Sequence, residues 1–393
     1  MKKIKNYSKI TNFDQIQNFL NCYGAEHALF LDIETTGFSR AKAYVYLIGC
    51  AYLQGQYLVT EQFFADSQDT AAGGCTNQNS QTNHLEQERA LLSELSAFCS
   101  RVLFDTVITF HGLAFDLPFL NSLCARFGLD PLFQPDYDNK NYVDLYAIYS
   151  VYRPVFQLPD LKQKTLEAFL GMNREDAYDS GALIKEYQEY VKNPTDRAEY
   201  LFLRHNREDL RGMAALLDLH AYTCFFNGGF QITDTAVSAY RKMDGSTGKE
   251  LTISCLLAHP LPSAVSSIRP PFYLHAKKTK AMFRIPVYEG TLKYFYPNYK
   301  EYYYLPQEDM AIHKSVAAYV DRTHRQKATP ANCYGKKTGL FLPQLQQVAA
   351  PAFFEAYQDA VSYFELPRQD ETARGVYDGY CMHILQAMRD EKS

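Results

Sequence analysis

The sequence predicts an α/β fold in which a mixed β-sheet is flanked by helices, followed by a smaller C-terminal α+β domain. Three β-rich runs come first, at Ala28–Leu31, Ala43–Tyr52 and Gln56–Phe64. Helical and strand patterns then alternate, which is typical of α/β proteins. Beyond Phe225, β-prone runs broken by Pro and Gly indicate a second domain of a different type.

Local patterns predict the elements of the N-terminal part. Leu53-Gln54-Gly55 separates the second and third β-rich runs and predicts a hairpin. The polar stretch Asp66–Asn83 predicts a mobile surface loop. Apolar residues at helical spacing, and one more apolar run, predict the remaining elements. These are an amphipathic stretch at Phe13–Leu20, a helix at His84–Arg101, a strand at Val107–Phe110, a helix carrying Phe115 to Leu123, and helices at Lys162–Leu170, Ser180–Val191 and Thr195–Phe225.

The C-terminal part has its own patterns. Asn227-Gly228-Gly229 predicts a domain boundary, and the tail Val348–Met388 predicts a helix with Pro351 in its first turn. Three short runs predict a small antiparallel β unit: Phe272–His275, Ala281–Val287 and Thr291–Tyr296. The predicted organisation is a lead-in at 1–27, a main domain at 28–225 and a C-terminal domain at 226–393.

Composition limits the class of protein. The 393 residues carry a net charge of −4, but residues 1–224 carry −8 and residues 225–393 carry +4, so the two parts are expected to differ in role. Nine cysteines without metal-finger spacing favour reduced thiols and a cytoplasmic protein. The N-terminus lacks the apolar segment of a signal peptide, and no apolar run predicts a membrane span.

Two acids close the first β-rich run. Asp32 and Glu34 are one residue apart, so on a strand they project from one face. Two carboxylates this close repel each other unless a positive group lies between them, and oxygen-rich sites suit Mg²⁺ or Mn²⁺. The alternative is a solvated Asp-x-Glu at the end of a strand.

Two further acidic positions follow at other points of the chain. Asp116 comes just after a predicted strand, where it is either a helix cap or a functional acid. His205 and Asp209 are four residues apart and share a helix face, either as a solvated pair or as part of a site. The order and spacing of all these residues point to one site.

These motifs resemble those of the DEDD 3′→5′ exonucleases, and within that superfamily the ribonuclease H-like domain of the YprB type. The resemblance covers about residues 28–220, through Leu-Asp-Ile-Glu-Thr-Thr-Gly, Phe-Asp-Leu-Pro-Phe-Leu and His-Asn-Arg-Glu-Asp. It implies a ribonuclease H-like fold in which two Mg²⁺ or Mn²⁺ ions are held by Asp32, Glu34, Asp116 and Asp209. His205 would then lie near the attacking water as a candidate general base.

The resemblance also implies roles for neighbouring residues. It implies that substrate is bound by Thr35, Thr36, Gly37, His111 and Asn206. For Thr35 to Gly37, the alternative is a simple turn. His111 replaces an Asn that is common in relatives, and His205 stands four residues before Asp209 where the histidine subclass generally has five. Asp144 resembles a further acid of YprB-type domains, with either a supporting or a surface role.

The C-terminal part offers a candidate nucleic-acid surface. Residues 269–337 contain 13 Lys and Arg against 5 Asp and Glu, interleaved with tyrosines and phenylalanines. Basic residues beside aromatic ones are typical of a groove for single-stranded nucleic acid, although solvated lysines and packed tyrosines are the alternative.

The sequence therefore predicts a metal-dependent 3′-5′ exonuclease that hydrolyses DNA or RNA by a two-metal mechanism. Its partner would be a nucleic acid with a single-stranded 3′ end, and no membrane is involved. Two alternatives stay open: a non-catalytic nucleic-acid-binding or adaptor protein with the same fold, and a structure-specific endonuclease that uses the same site.

Overall fold

A computed structural model of the protein describes residues 1–66, 77–135, 138–174, 178, 180–241, 245–368 and 371–390. The chain forms two compact units, Met1–Arg153 with Leu158–His220, and Pro154–Gln157 with Ala221–Ser393. Within the described ranges, no helix combines the length and apolar character needed to cross a membrane. The cysteines of these ranges are free thiols.

The first unit is built on a six-stranded mixed sheet, which confirms the predicted fold class. Its strands are β1 (Lys2–Lys9), β2 (Ala28–Thr35), β3 (Val45–Gln54), β4 (Tyr57–Phe64), β5 (Thr106–Thr109) and β6 (Asn141–Asp144). The strand order is β1-β4-β3-β2-β5-β6. Strands β1 to β4 pair antiparallel, whereas β5 pairs parallel with β2 and with β6. The acidic strand β2 therefore lies inside the sheet, between its antiparallel and parallel parts.

Helices cover this sheet along apolar faces. In the first unit they are α1 (Phe13–Cys22), α2 (Asn77–Arg101), α3 (Asp116–Arg126), α4 (Leu145–Ser150), α6 (Gln163–Phe169), α7 (Ser180–Lys192) and α8 (Asp196–Leu216). Helices α5 (Arg153–Phe156) and α9 (His220–Phe226) belong to the second unit apart from their first residues. The predicted helical residues Leu91, Leu95 and Phe98 of α2 are fully buried in the main core. Thr195 caps α8 by accepting from the Ala198 N–H at 3.3 Å. Helix α8 contacts β2, β3 and β4, so it lies across the strand that carries the acids.

The predicted lead-in is part of the first unit. Strand β1 pairs with β4 along its whole length, from Lys2 opposite Phe64 to Lys9 opposite Tyr57. Its lysines are held by ion pairs, such as Lys2 to Glu199 at 2.7 Å and Lys5 to Glu61 at 3.0 Å. The strand was missed because it is anchored by the backbone ladder and by charges instead of apolar side chains.

The predicted polar loop Asp66–Asn83 is wrong over its last part. Helix α2 begins at Asn77 and continues through the predicted helix to Arg101. The part of the predicted loop at 67–76 lies outside the described residues. Polar composition alone cannot separate a loop from the solvated first turns of a long helix.

The second unit is α+β, as predicted, and contains two antiparallel sheets. The larger has the order β14-β13-β9-β8-β7 and the smaller the order β11-β10-β12. Their strands are β7 (Phe230–Arg241), β8 (Thr247–Arg269), β9 (Phe272–Phe295), β10 (Tyr302–Leu305), β11 (Met310–His313), β12 (Gln326–Lys327), β13 (Tyr334–Gln344) and β14 (Ser362–Glu365). Helices α10 (Lys314–Ala317) and α11 (Glu371–Arg389) also belong to this unit.

Two predictions in this unit are corrected by long-range pairing. The three short predicted runs between Phe272 and Tyr296 belong to one strand, β9, in which even Pro286 has a ladder partner, Glu250. The predicted tail helix at Val348–Met388 is wrong over its first half. There, Phe353 is buried and bridges Tyr363, and the helix begins only at Glu371. Aromatic side chains that suit a helix face are drawn into β pairing instead.

One close approach fixes how α8 lies on the sheet. Gly49 of β3 is opposite Asp32, and a Cβ at this position would lie 2.1 Å from the Asn206 Oδ1 of α8. Only glycine leaves room for the buried amide here.

We expect Gly49→Ala to lower the free energy of unfolding by about 1–3 kcal/mol, because the buried amide must move. Gly375→Ala is the matched control: it lies in the exposed part of α11 with nothing within 4 Å of the added Cβ. That variant should gain about 0.5–1 kcal/mol from helix propensity. Thermal and urea unfolding measure both, and equal effects of the two variants would contradict the proposed contact.

Candidate active site

Strand β2 presents two acids on one face. Asp32 and Glu34 are two residues apart, and the β2–β3 register shifts between Glu34 and Thr35, where the strand ends. Glu34 is 8% exposed, although an isolated carboxylate is rarely this buried. The solvated Asp-x-Glu alternative is therefore excluded for Glu34.

Asp116 joins them from the first turn of α3. Its Oδ1 accepts a hydrogen bond from the Ile33 N–H at 3.0 Å, between the two acids of β2. The N-cap of α3 is Phe115, so Asp116 is tied to the central strand and does not serve as the helix cap. Gly112 permits this approach, since a Cβ there would lie 2.9 Å from Asp116 Oδ2.

Helix α8 brings the fourth acid and the histidine. His205 Nε2 lies 3.2 Å from Asp209 Oδ2 and 3.8 Å from Glu34 Oε1. One ligand atom from each of Glu34, His205 and Asp209 lies within 4.8 Å of the others. His205 is only 3% exposed, so its ring lies among the acids and has little contact with solvent.

Asn206 holds Asp32 in place through its side-chain amide. Its Nδ2 donates to Asp32 Oδ2 at 2.8 Å and to the Asp32 carbonyl at 3.2 Å, while its Oδ1 accepts from Gln62 Nε2 at 2.8 Å. The side chain is fully buried. The predicted substrate contact of Asn206 stays a prediction, whereas the structure shows its buried amide orienting a carboxylate.

A buried arginine that the sequence analysis did not single out holds Asp209. Arg174 Nη1 lies 2.6 Å from Asp209 Oδ1 and 3.1 Å from Glu167 Oε2. Glu167 is fully buried, and burial raises its pKa even though Arg174 lowers it. Gly212 leaves room for Glu167, whose Oε1 would be 1.7 Å from an added Cβ. The only sequence signal was a glycine within α8, which is unfavourable in a helix without a packing reason.

Asp144 supports the turn that follows β5. Its carboxylate accepts from the N–H of His111 at 2.8 Å and of Leu113 at 3.3 Å. It also caps α4 by accepting from the Tyr146 N–H at 3.0 Å. His111 has a φ of 65°, a left-handed conformation that these bonds stabilise. The structure thus favours the supporting role of Asp144 over the surface role, since the side chain is buried.

Thr35, Thr36 and Gly37 form a hydrogen-bonded turn beside the acids. The Thr35 hydroxyl donates to the Gly37 carbonyl at 2.8 Å, and the Thr36 hydroxyl accepts from the Tyr44 N–H at 2.9 Å. Both hydroxyls thus have structural partners. Next to the turn, Phe38 is 74% exposed and its ring centroid lies 6.3 Å from that of Phe115. Phe38 was missed as a site residue, although an apolar residue straight after a turn was visible in the sequence.

These residues surround one cavity of about 460 Å³. Its acidic wall comprises Asp32, Glu34, Asp116 and Asp209. The rest of the lining, which we call the apolar wall, is largely apolar with one imidazole: Phe38, Phe110, His111, Phe115 and Ile184 contribute to it. Four acids from three separate stretches of the sequence therefore line a single concave surface.

The electrostatics of this surface are unfavourable without a cation. Burial, together with the negative charges of Asp209, Glu34 and Asp116, raises the pKa of Asp32 well above its usual value, and only the Asn206 hydrogen bond opposes the rise. Burial likewise raises the pKa of Asp116 to about 7, against the Ile33 hydrogen bond. Like charges in a low dielectric cause this cost, and a bound cation removes it.

The donor set fits a hard divalent cation. Carboxylate oxygens are the ligands that Mg²⁺ and Mn²⁺ prefer, and four of them balance two dications. Asp32, Glu34, Asp116 and Asp209 are the residues that would hold such ions. Asn206, Arg174 and the Ile33 N–H orient three of these acids.

This mixed sheet and its covering helices form a ribonuclease H-like fold. Residues 29–221 match the family described as the RNase_H superfamily, and the match spans the sheet from β2 onward and the whole acidic cavity. No curated protein matches the chain in sequence.

Solved structures of exonuclease I are similar to part of the chain. Escherichia coli exonuclease I in complex with a dT13 oligonucleotide is 14% identical, with 59% of this chain and 55% of that chain covered and a TM-score of 0.30. The complex with a dA16 oligonucleotide is 16% identical, with 60% and 55% covered and a TM-score of 0.29. The chain thus spans about 55% of the length of these structures.

We expect Asp32→Asn to stabilise the metal-free protein at pH 8 by roughly 1 kcal/mol, or roughly 2–4 °C in Tm, because it removes one charge from the repelling cluster. Mn²⁺ should raise the Tm of the wild type but hardly that of the variant. Asp130→Asn, at an exposed acid, is the control and should change neither value. Equal stabilisation of wild type and Asp32→Asn by Mn²⁺ would contradict the assignment of this cation site.

Arg174→Ala should lower the free energy of unfolding by about 3–5 kcal/mol, because it leaves the buried Glu167 without its charge partner. The control is Lys192→Ala, whose ion pair with Glu189 is exposed on both sides, at 68% and 71%. That change should cost less than about 1 kcal/mol. Urea unfolding compares the two, and similar losses would show that the buried pair adds nothing.

Proposed function

We propose that the protein is a divalent-metal-dependent nuclease of the DEDD type, with a YprB-like ribonuclease H domain, that removes nucleotides from the 3′ end of DNA or RNA. One observation carries the proposal: Asp32, Glu34, Asp116 and Asp209 line one cavity, where burial and, after it, their mutual repulsion raise the pKa of Asp32. Such a cluster costs stability unless a cation is bound. The match of residues 29–221 to the RNase_H superfamily supports the same chemistry.

Two divalent cations, when bound, activate water near neutral pH and stabilise charge on the attacking and leaving oxygens. The chain's own groups position the acids for this purpose. Asn206 fixes Asp32, the Ile33 N–H fixes Asp116, and Arg174 fixes Asp209 through Oδ1, which leaves Oδ2 for other partners. His205 is the proposed general base: Asp209 Oδ2, 3.2 Å from its Nε2, would stabilise the imidazolium that forms when the ring takes a proton from water.

The apolar wall supports a nucleotide substrate. Phe38 is exposed and lies beside Phe115 at the edge of the acidic cavity. A base stacks favourably on an aromatic ring whatever its identity. We propose that Phe38 and Phe115 receive the terminal base, and that the backbone of the Thr35–Gly37 turn and His111 contact its sugar and phosphate.

A cleavage panel tests the proposal. Matched DNA and RNA single strands carrying either a 5′ or a 3′ label, and a closed circle, are incubated with Mn²⁺, with Mg²⁺ or with EDTA. We expect stepwise loss from the 3′ end with either metal and no cleavage with EDTA. Asp32→Asn, Glu34→Gln, Asp116→Asn and Asp209→Asn should each reduce kcat on the order of 10³-fold, since the metal supplies several kcal/mol to the reaction.

The same panel separates the alternatives. Asp130→Asn serves as the matched acid-to-amide control and should cleave like the wild type. A cut circle would identify an endonuclease, and absence of turnover on every substrate would identify a non-catalytic binding protein. Full activity of Asp32→Asn would overturn the proposed site altogether.

A further inference from the structure

Four consecutive residues of the second unit are exposed at a point where buried and exposed side chains would normally alternate along a strand. Lys277, Lys278, Thr279 and Lys280 all point to solvent, although Phe272, Leu274 and Ala276 just before them are buried in turn. The β8–β9 ladder is irregular here: Leu256 faces Lys280, Leu261 faces Lys278 and Val265 faces Ala276. Strand β8 thus carries the extra residues and is the bulged strand, and β9 displays its lysines together opposite the bulge.

The backbone of this segment is strained. Lys278 has a φ of 51°, in the left-handed region that a lysine rarely adopts. Neither glycine nor asparagine, which tolerate this conformation, is used. Strain of this kind persists where a structure requires a particular display of side chains, and it is a reason to look for function.

The charges of the three lysines are not compensated. Within the described residues of this unit, Lys277, Lys278 and Lys280 form no ion pair, and each is exposed. Other lysines of the unit are neutralised: Lys249 lies 2.9 Å from Glu289, Lys314 3.4 Å from Glu301 and Lys337 2.6 Å from Glu365. Three ammonium groups that have no ion pair among the described residues therefore lie within four consecutive positions of the chain.

The three lysines also border a hollow. A cavity of about 620 Å³ is lined by Lys277, Lys278, Lys280, His275, Ser254 and Thr233, among others. Hydroxyl and imidazole groups thus accompany the ammonium groups, and the imidazole is held by the Ser266 hydroxyl, 2.8 Å from His275 Nδ1. No aromatic ring of the described residues lines this cavity other than the His275 imidazole.

We propose that this lysine hollow, defined by His275, Lys277, Lys278 and Lys280, binds the phosphate backbone of a single-stranded nucleic acid. Lysine ammonium groups act as point charges without a fixed geometry, which suits successive phosphates of any sequence. Because no ring of Phe or Tyr lines the hollow, bases contribute little, and binding depends on salt and not on sequence. The identity of the anion rests on the proposed nuclease function.

The test is binding of a fluorescent oligothymidylate in EDTA, followed by anisotropy at several salt concentrations. The full-length triple variant Lys277→Gln, Lys278→Gln, Lys280→Gln is compared with Lys249→Gln, Lys314→Gln, Lys337→Gln, which changes the net charge equally. We expect Kd to rise by about 10- to 100-fold in the first. The magnitude of the slope of log K against log salt should fall by about 2, because each lost phosphate contact removes about 0.7. The control should bind like the wild type.

A double variant, Lys277→Gln with Lys280→Gln, leaves the strained Lys278 unchanged. Its slope should fall by about two thirds of the decrease expected for the triple variant. The proposal would be overturned if both triple variants bound equally weakly, or if neither bound more weakly than the wild type. It would also be overturned if the wild type bound polyglutamate as tightly as the oligothymidylate. EDTA prevents cleavage, so the two proposals fail separately. If binding depends on these lysines but the protein cleaves no substrate, only the proposed nuclease function is refuted. Cleavage with lysine-independent binding refutes only the hollow.

Discussion

Repulsion among four carboxylates around one cavity is the constraint on which the first unit depends. Three of the four acids are held by a donor from another element: Ile33 for Asp116, Asn206 for Asp32, and Arg174 for Asp209. These donors are themselves buried and fixed, by Gln62 in one case and Glu167 in another. The surrounding elements thus hold the carboxylates close together. The repulsion between them lowers the stability of the fold, and a bound cation would offset this loss.

Small residues make this arrangement possible. Gly49, Gly112 and Gly212 each stand where an added Cβ would collide with Asn206, Asp116 or Glu167. Each glycine therefore lets one polar group approach the sheet or helix that carries an acid. Backbone closeness, and not only the choice of acidic residues, sets the geometry of the cavity.

Much of the first unit was predictable because its signals are local. Apolar runs at 28–31, 43–52 and 56–64 predicted β2, β3 and β4 with a hairpin between the last two, and the spacing of Asp32 with Glu34 predicted their shared face. Contacts between residues that are far apart in the sequence leave no such local pattern. Arg174 reaches Asp209 from a stretch without periodicity, and Asn206 resembled a substrate contact until its burial was known. In the second unit, the same limit explains why a tail suited to a helix pairs as a strand.

The two edges of the six-stranded sheet differ in how they meet solvent. Strand β6 is only four residues long, whereas β1 is eight residues long and exposes Lys3, Lys5 and Lys9 on one face. A long, flat edge is a template on which another chain can add a strand and start an aggregate. An added strand would have to accommodate a row of ammonium groups, so the alternating lysines act as gatekeepers that discourage uncontrolled growth of the sheet.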